Sequence, residues 1–277
     1  APSPRSYHTL VSTGSQAIVF GGDTADGVTN TGARYDRASN TWLPLANTNA
    51  PSARKYHAAA WTGSAMVVLG GCSNANCALA DGGIYSPASN QWSPIAASDD
   101  VGRVQGATAV WTGAEALLFG GSSAVTRRAQ RGVSWRAATD AFTELPLAGS
   151  PSARLRTQAV WTGTRMLVWG GENDNGEVFG DGGRFDPAAR TWTPMNATGA
   201  PSPRSRHVMA WAGQRALVFG GAGDGVFGDG AAYDPQADAW TALPAAGAPA
   251  PRVDATAVST GSGMIVWGGT NFANVLN

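Results

Sequence analysis

The chain has 277 residues, with 19 basic and 19 acidic side chains and a net charge of zero. That balance gives no electrostatic footprint for nucleic acid or an anionic membrane surface. No run of about 18 apolar residues is present, so no membrane-spanning helix is predicted. Lys55 is the only lysine among the basic residues and the rest are arginine. This bias supplies fork-shaped donors for carboxylates and phosphates, and a GC-rich gene would also produce it.

The doublet Gly-Gly occurs with its first glycine at Gly21, Gly70, Gly120, Gly170, Gly220 and Gly268, in steps of 49, 50, 50, 50 and 48 residues. A period this long marks stacked supersecondary units that cannot bury their own faces alone. Repeat boundaries fall at about 1–49, 50–98, 99–148, 149–198, 199–246 and 247–277, the last partial, within a single domain spanning 1–277. Each repeat reads as four short strands, A to D. Strand A follows a Pro-rich turn (PSPR from Pro2, PSAR from Pro51 and Pro151, PSPR from Pro201, PAPR from Pro249) and ends at a tight turn such as WTG at Trp61, Trp111 and Trp161. Strand B is a continuous apolar run into the glycines, as in MVVLGG and MLVWGG, the pattern of a strand buried on both faces. Strand C carries Tyr35, Tyr85, Trp135, Phe185 or Tyr233. Strand D carries Trp42, Trp92, Phe142, Trp192 or Trp240, with Pro44, Pro94, Pro146, Pro194 or Pro244 soon after. Proline suits an outermost strand, where no neighbour needs the missing N–H. All 11 tryptophans fall on repeat positions, so inter-blade packing accounts for each of them.

The units PSAR, WTG, MLVWGG, GGRFDP and TWTPM resemble kelch repeats, in particular the tandem repeats of secreted bacterial proteins. The resemblance covers nearly the whole chain. It implies an all-β, kelch-type β-propeller of six repeats with four-stranded blades, the sixth incomplete. After Gly268-Gly269 the sixth repeat continues only as TNFANVLN. Three readings stay open: a longer natural protein, strands donated by a neighbouring molecule, or a half-blade with 271–277 as a poor third strand. An uncovered strand B would invite edge pairing.

Propellers host unrelated activities, so function has to be read from the site. Arg5, Arg54, Arg103, Arg154, Arg204 and Arg252 open the innermost strands and are expected to ring one mouth of the central channel. Two residues on come Tyr7, Tyr56, Arg156, Arg206 and Asp254, and the third repeat adds Arg127, Arg128 and Arg131. Kelch substrate adaptors bind acidic peptide segments at such a mouth, so the resemblance implies a site formed by Arg154, Arg156, Arg204, Arg206, Arg127, Arg128 and Arg131, with Tyr7 and Tyr56 as stacking surface. The repeated arginine also has a structural reading, pairing with backbone carbonyls or nearby aspartates between blades.

Cys72 and Cys77 share the loop CSNANC. No histidine lies nearby to complete a metal set, and a loop-stapling disulfide would imply an oxidising compartment. His8, His57 and His207 occupy one repeat position, expected to bond within the blade. The loop Glu172–Asp181 is rich in hard oxygen ligands for calcium but departs from the EF-hand pattern. No G-x-S-x-G, H-E-x-x-H or Walker loop is present. The expectation is therefore a secreted, periplasmic or cell-surface binding module without cofactor, presenting loops and an arginine-lined mouth to a protein, peptide or glycan. The alternatives are a mutarotase- or lyase-like carbohydrate enzyme using Asp254 with Arg252 and His8, and a structural subunit joined through the open sixth repeat.

Overall fold

The structure, a computed structural model, describes residues 1–74, 79–97, 104–122 and 132–276. Among these, five four-stranded antiparallel sheets form, each running A–B–C–D. The first is Thr9–Ser12, Gln16–Phe20, Gly32–Asp36 and Thr41–Pro44, and the fifth is Val208–Ala212, Arg215–Phe219, Gly230–Asp234 and Ala239–Ala242. The expected sixth blade is corrected to a two-stranded sheet of Thr256–Ser259 with Met264–Trp267. Past Gly269 the chain makes the bridges Val253–Thr270 and Thr270–Val275, as Ser205–Ala222 and Ala222–Val226 do ahead of strand C in the fifth blade, and no third strand forms within 271–276.

The blades fall into two compact units, Ala1–Leu145 with three blades and Pro146–Asn277 with two blades and the two-stranded sheet. Within each unit the A strands of successive blades lie beside one another. The core sits between blades. In the first unit Ile18, Phe20 and Leu45 pack on Met66, Val68, Tyr85 and Trp92. In the second, Leu167, Trp169 and Met195 pack on Ala216, Val218, Tyr233 and Trp240. The aromatics of strands C and D are direct cross-strand partners, Tyr85 with Trp92 and Tyr233 with Trp240, which gives the stacked pair a fixed register. Trp92 and Trp240 each donate the indole N–H, at 2.9 Å, to a carbonyl of the preceding blade, Ala46 and Asn196.

The period-fifty glycines are the joint between blades. Gly21 has φ of 66°, and a Cβ there would lie 2.6 Å from the Arg54 carbonyl oxygen; at Gly70 it would lie 2.3 Å from that of Val104. The second glycine uses the same approach. Gly22, Gly71, Gly171 and Gly221 each donate N–H at 2.8 Å to Arg54, Val104, Arg204 and Arg252 of the next blade. A second joint lies at the turn between strands C and D. Asn90 accepts from Tyr85 Oη at 2.7 Å and from the N–H of Ala46 in the preceding blade at 3.1 Å. Asp238 does the same for Tyr233 and Asn196. Burial opposes ionisation of Asp238, but Tyr233, the Asn196 N–H and Arg184 outweigh it and hold the carboxyl below its ordinary range.

Candidate functional site

The repeated arginine turns inward. Arg54, Arg154 and Arg204 are fully buried. Arg54 donates through Nη1 to the carbonyls of Gly70 (2.9 Å) and Asp81 (3.0 Å), through Nε to Ser52 O (2.9 Å), and through Nη2 to the Asp81 carboxylate (2.9 Å). Arg154 repeats the pattern on Gly170, Asp181 and Ser152, and Arg204 on Gly220, Asp229 and Ser202. Phe179 and Phe227 cover the two guanidinium planes at 4.4 and 4.2 Å. Burial lowers the pKa of Arg54 and Arg154, and the paired aspartates oppose it. The side chain thus ties the start of strand A to the end of strand B and the entry to strand C. Arg154 and Arg204, expected at a mouth, are sealed inside their blades and reach no ligand, although Arg204 Nη2 has no hydrogen-bond partner there. Arg5 keeps the same carbonyl contacts on Ser3 and Gly21, with Thr31 in place of the aspartate.

Two residues on, the backbone is left-handed in all six repeats: Tyr7, Tyr56, Gly106, Arg156, Arg206 and Asp254, with φ between 50° and 67°. This conformation is uncommon for side chains other than glycine. It is held by a belt of backbone bonds between neighbouring blades. In the first unit Tyr56 N donates to Tyr7 O (3.1 Å) and Gly106 N to Tyr56 O (2.7 Å). In the second, Arg206 N donates to Arg156 O (3.3 Å) and Asp254 N to Arg206 O (3.1 Å). The alternation expected from a plain strand is therefore broken here, and each side chain is re-aimed by a left-handed residue.

In the first unit the belt presents Tyr7 and Tyr56, 52% and 37% exposed, with ring centroids 4.3 Å apart. Lys55 pairs with Asp23 at 2.5 Å and lies 6.0 Å from the Tyr56 ring. In the second unit Arg156 meets Glu172 at 2.6 Å, and Glu172 also accepts from Ser205 Oγ at 2.5 Å. Arg206 grips Asp254 in a two-point contact, Nε to Oδ1 at 3.0 Å and Nη2 to Oδ2, and lies 5.0 Å from the Phe272 ring centre. Asp254, considered above as a catalytic acid, is engaged by Arg206. Arg103, Arg127, Arg128, Arg131 and Cys77 lie outside the described residues. Cys72 is buried.

A family model described as the KLHDC2/KLHL20/DRC7 Kelch-repeats domain matches residues 1–105 and again residues 106–277. The chain belongs to the kelch-repeat family. No curated protein matches it. Its architecture is an all-β kelch propeller, and kelch propellers generally mediate protein interactions.

Of the three repeat histidines, expected to bond within the blade, His57 and His207 instead pack between blades and His8 is exposed. His57 is buried, its Nε2 2.7 Å from Thr9 Oγ1 of the preceding blade and its ring edge-on to Phe20. His207 is buried against Trp169 in the same way. Burial, with a nearby arginine, pushes both pKa values down to about 3. In the calcium-like loop, Asp181 is engaged by Arg154 and Glu172 by Arg156 and Ser205. Among the described residues no group of three or more metal-ligating side chains converges.

The left-handed position gives a first prediction. Gly106 shows that the kelch belt accepts glycine. Tyr56→Gly would relieve about 1–2 kcal/mol of left-handed strain, offset by glycine entropy and the lost ring contact, each about 0.5–1 kcal/mol. Its urea midpoint is expected to correspond to a stability within about 1 kcal/mol of the parent. The β-branched Tyr56→Val is expected to be clearly less stable. A Tyr56→Gly protein as unstable as Tyr56→Val would refute this account of the belt.

Proposed function

We propose that this kelch chain is a protein-interaction module that reads a peptide or protein segment with the side chains at its left-handed belt positions. One observation carries the reading. The proline, arginine, double glycine and strand C and D aromatics recur with nearly constant chemistry. The belt position keeps a constant backbone yet holds Tyr, Tyr, Gly, Arg, Arg and Asp. The fold requires the conformation there and leaves the side chain open to another use.

The two units offer different chemistry. Tyr7 and Tyr56 form an exposed aromatic step suited to proline, aliphatic or sugar faces. Arg156 is 57% exposed and bonds Glu172 through Nη1, leaving its other donors for a ligand carboxylate. The Arg206–Asp254 pair beside Phe272 can exchange partners with an acidic segment. Binding at the second unit is expected to weaken with salt. We further propose an extracytoplasmic location, with Cys72 and Cys77 joined. Intact mass without reductant should then be lower by two hydrogens than after reduction, and equal masses would remove the argument for that location.

The test of function is a displayed random-peptide library selected on the immobilised protein. Selected peptides are then titrated against Tyr7→Gly/Tyr56→Gly and Arg156→Gly/Arg206→Gly, which keep the belt backbone. A loss of about tenfold or more in at least one variant is expected. Affinities unchanged in both would move the binding face elsewhere.

A further inference from the structure

The belt of the first unit brings two phenols into contact across a blade seam. Tyr7 and Tyr56 carry nearly the same left-handed backbone, with φ of 57° and 55°, and the Tyr56 N–H donates to the Tyr7 carbonyl at 3.1 Å. Their ring centroids lie 4.3 Å apart with 32° between the planes. That is closer than the roughly 4.5–7 Å usual for aromatic pairs. Both rings are exposed. The next belt position is Gly106, where an added Cβ would meet nothing within 4 Å, so no third belt ring stands beside Tyr56.

The other three tyrosines are built into their blades. Tyr35, Tyr85 and Tyr233 donate their hydroxyls to the C–D turn, at Asn40, Asn90 and Asp238. Tyr85 and Tyr233 are buried, and Tyr35 packs on Trp42. Tyr7 and Tyr56 therefore combine two things the others lack, access for an oxidant and a second phenol in contact.

We propose that Tyr7 and Tyr56 are a site of oxidative cross-linking, joined carbon to carbon by a one-electron oxidant such as a haem peroxidase supplied with hydrogen peroxide. Each phenol loses one electron and one proton. The peroxide takes up the two electrons and two protons and leaves as two waters. The two phenoxyl radicals couple through ring carbons ortho to their oxygens. One C–C bond forms, the two ortho C–H bonds break, and those protons return to the oxygens. The product is a biphenol lighter by two hydrogens. Radicals already in contact couple ahead of radicals that must meet by diffusion. The new bond spans a seam held otherwise by the backbone bonds Gly22–Arg54 and Tyr56–Tyr7 and by the Lys55–Asp23 ion pair. The cross-link needs no ligand at the belt, so it stands apart from the peptide-reading function.

The test exposes the full chain, at micromolar concentration, to a haem peroxidase and hydrogen peroxide. A thiol reductant is then added, so that cysteine oxidation does not enter the mass. Biphenol fluorescence is expected in the monomer band of a denaturing gel. The monomer should be lighter by two hydrogens, and one proteolytic fragment should join Tyr7 to Tyr56. Monomer product should exceed cross-linked dimer by about tenfold or more. Tyr7→Phe and Tyr56→Phe keep the stacked rings and remove one phenol, and each should abolish the monomer product. Tyr35→Phe should leave it unchanged. The treated parent is expected to melt roughly 5 °C above treated Tyr56→Phe, because the bond closes the chain between the two tyrosines. Equal melting temperatures would overturn its role as a seam. Biphenol confined to dimers, or persisting in Tyr56→Phe monomers, would overturn the site itself. So would its absence from the protein when free tyrosine couples in the same mixture.

Discussion

Arg154→Ala is expected to destabilise the second unit by roughly 2–4 kcal/mol, because truncation leaves buried carbonyls unsatisfied at about 1–3 kcal/mol each. The guanidinium carries no exposed surface and holds the Gly170 and Asp181 carbonyls, the Ser152 carbonyl and hydroxyl, and the Asp181 carboxylate. Truncation leaves the carbonyls short of donors in a closed site, while the Asp181 carboxylate, 59% exposed, turns to water. Arg154→Lys should recover only part of the loss, because one ammonium cannot span acceptors arranged for a planar fork. By contrast Arg156→Ala, two residues on and over half exposed, should cost less than about 2 kcal/mol. Urea unfolding of the three proteins makes the comparison. If Arg154→Ala and Arg156→Ala unfolded together, the inward arginine would not be the structural tie described above.

Acid should weaken the protein well before its carboxylates titrate. His57 and His207 have folded pKa values of about 3, while the unfolded chain regains 6.5. Between these values the unfolded state binds the extra protons, so stability falls as pH falls. The contribution is fully present above pH 6.5 and is lost progressively toward pH 3, at up to about 1.4 kcal/mol per pH unit for each histidine. Asp36 and Asp238, whose pKa values are lowered by hydrogen bonds, add their loss only below about pH 4. The fourth repeat supplies the control. Thr157 fills the histidine position there, buried, with its hydroxyl donating to Trp169 O at 3.0 Å. His57→Thr/His207→Thr should therefore flatten the urea midpoint between pH 6.5 and 4.5. An unchanged slope would trace acid lability to other groups.

The blade plan was legible because each packing contact repeats a residue type. Double glycine marks the joint, and paired aromatics mark strands C and D. The inward arginine was legible in principle as well. Ser52, Ser152 and Ser202 precede it by two residues, and Asp81, Asp181 and Asp229 recur at the entry to strand C. These are its partners, and they favour the structural reading of the repeated arginine over the mouth, with pairing inside one blade and not between blades. The left-handed belt was hidden, because Tyr and Arg do not advertise positive φ, and Gly106 and Asp254 were weak hints. The clustering of Arg156 with Glu172, and of Arg206 with Asp254 and Phe272, depends on contacts between residues 16 to 66 positions apart. No local pattern encodes such contacts.

The glycine joint also bears on how the protein is made. The N–H of Gly22 waits for the carbonyl of Arg54, and that of Gly171 for Arg204. A repeat leaving the ribosome therefore cannot close its own seam until about thirty more residues have emerged, some seconds at ~5–20 residues per second. Each newborn blade spends that interval with bare backbone donors and an uncovered apolar face. A nascent chain stalled at any repeat boundary should then be cut by protease in its last blade while the earlier blades of the same unit resist.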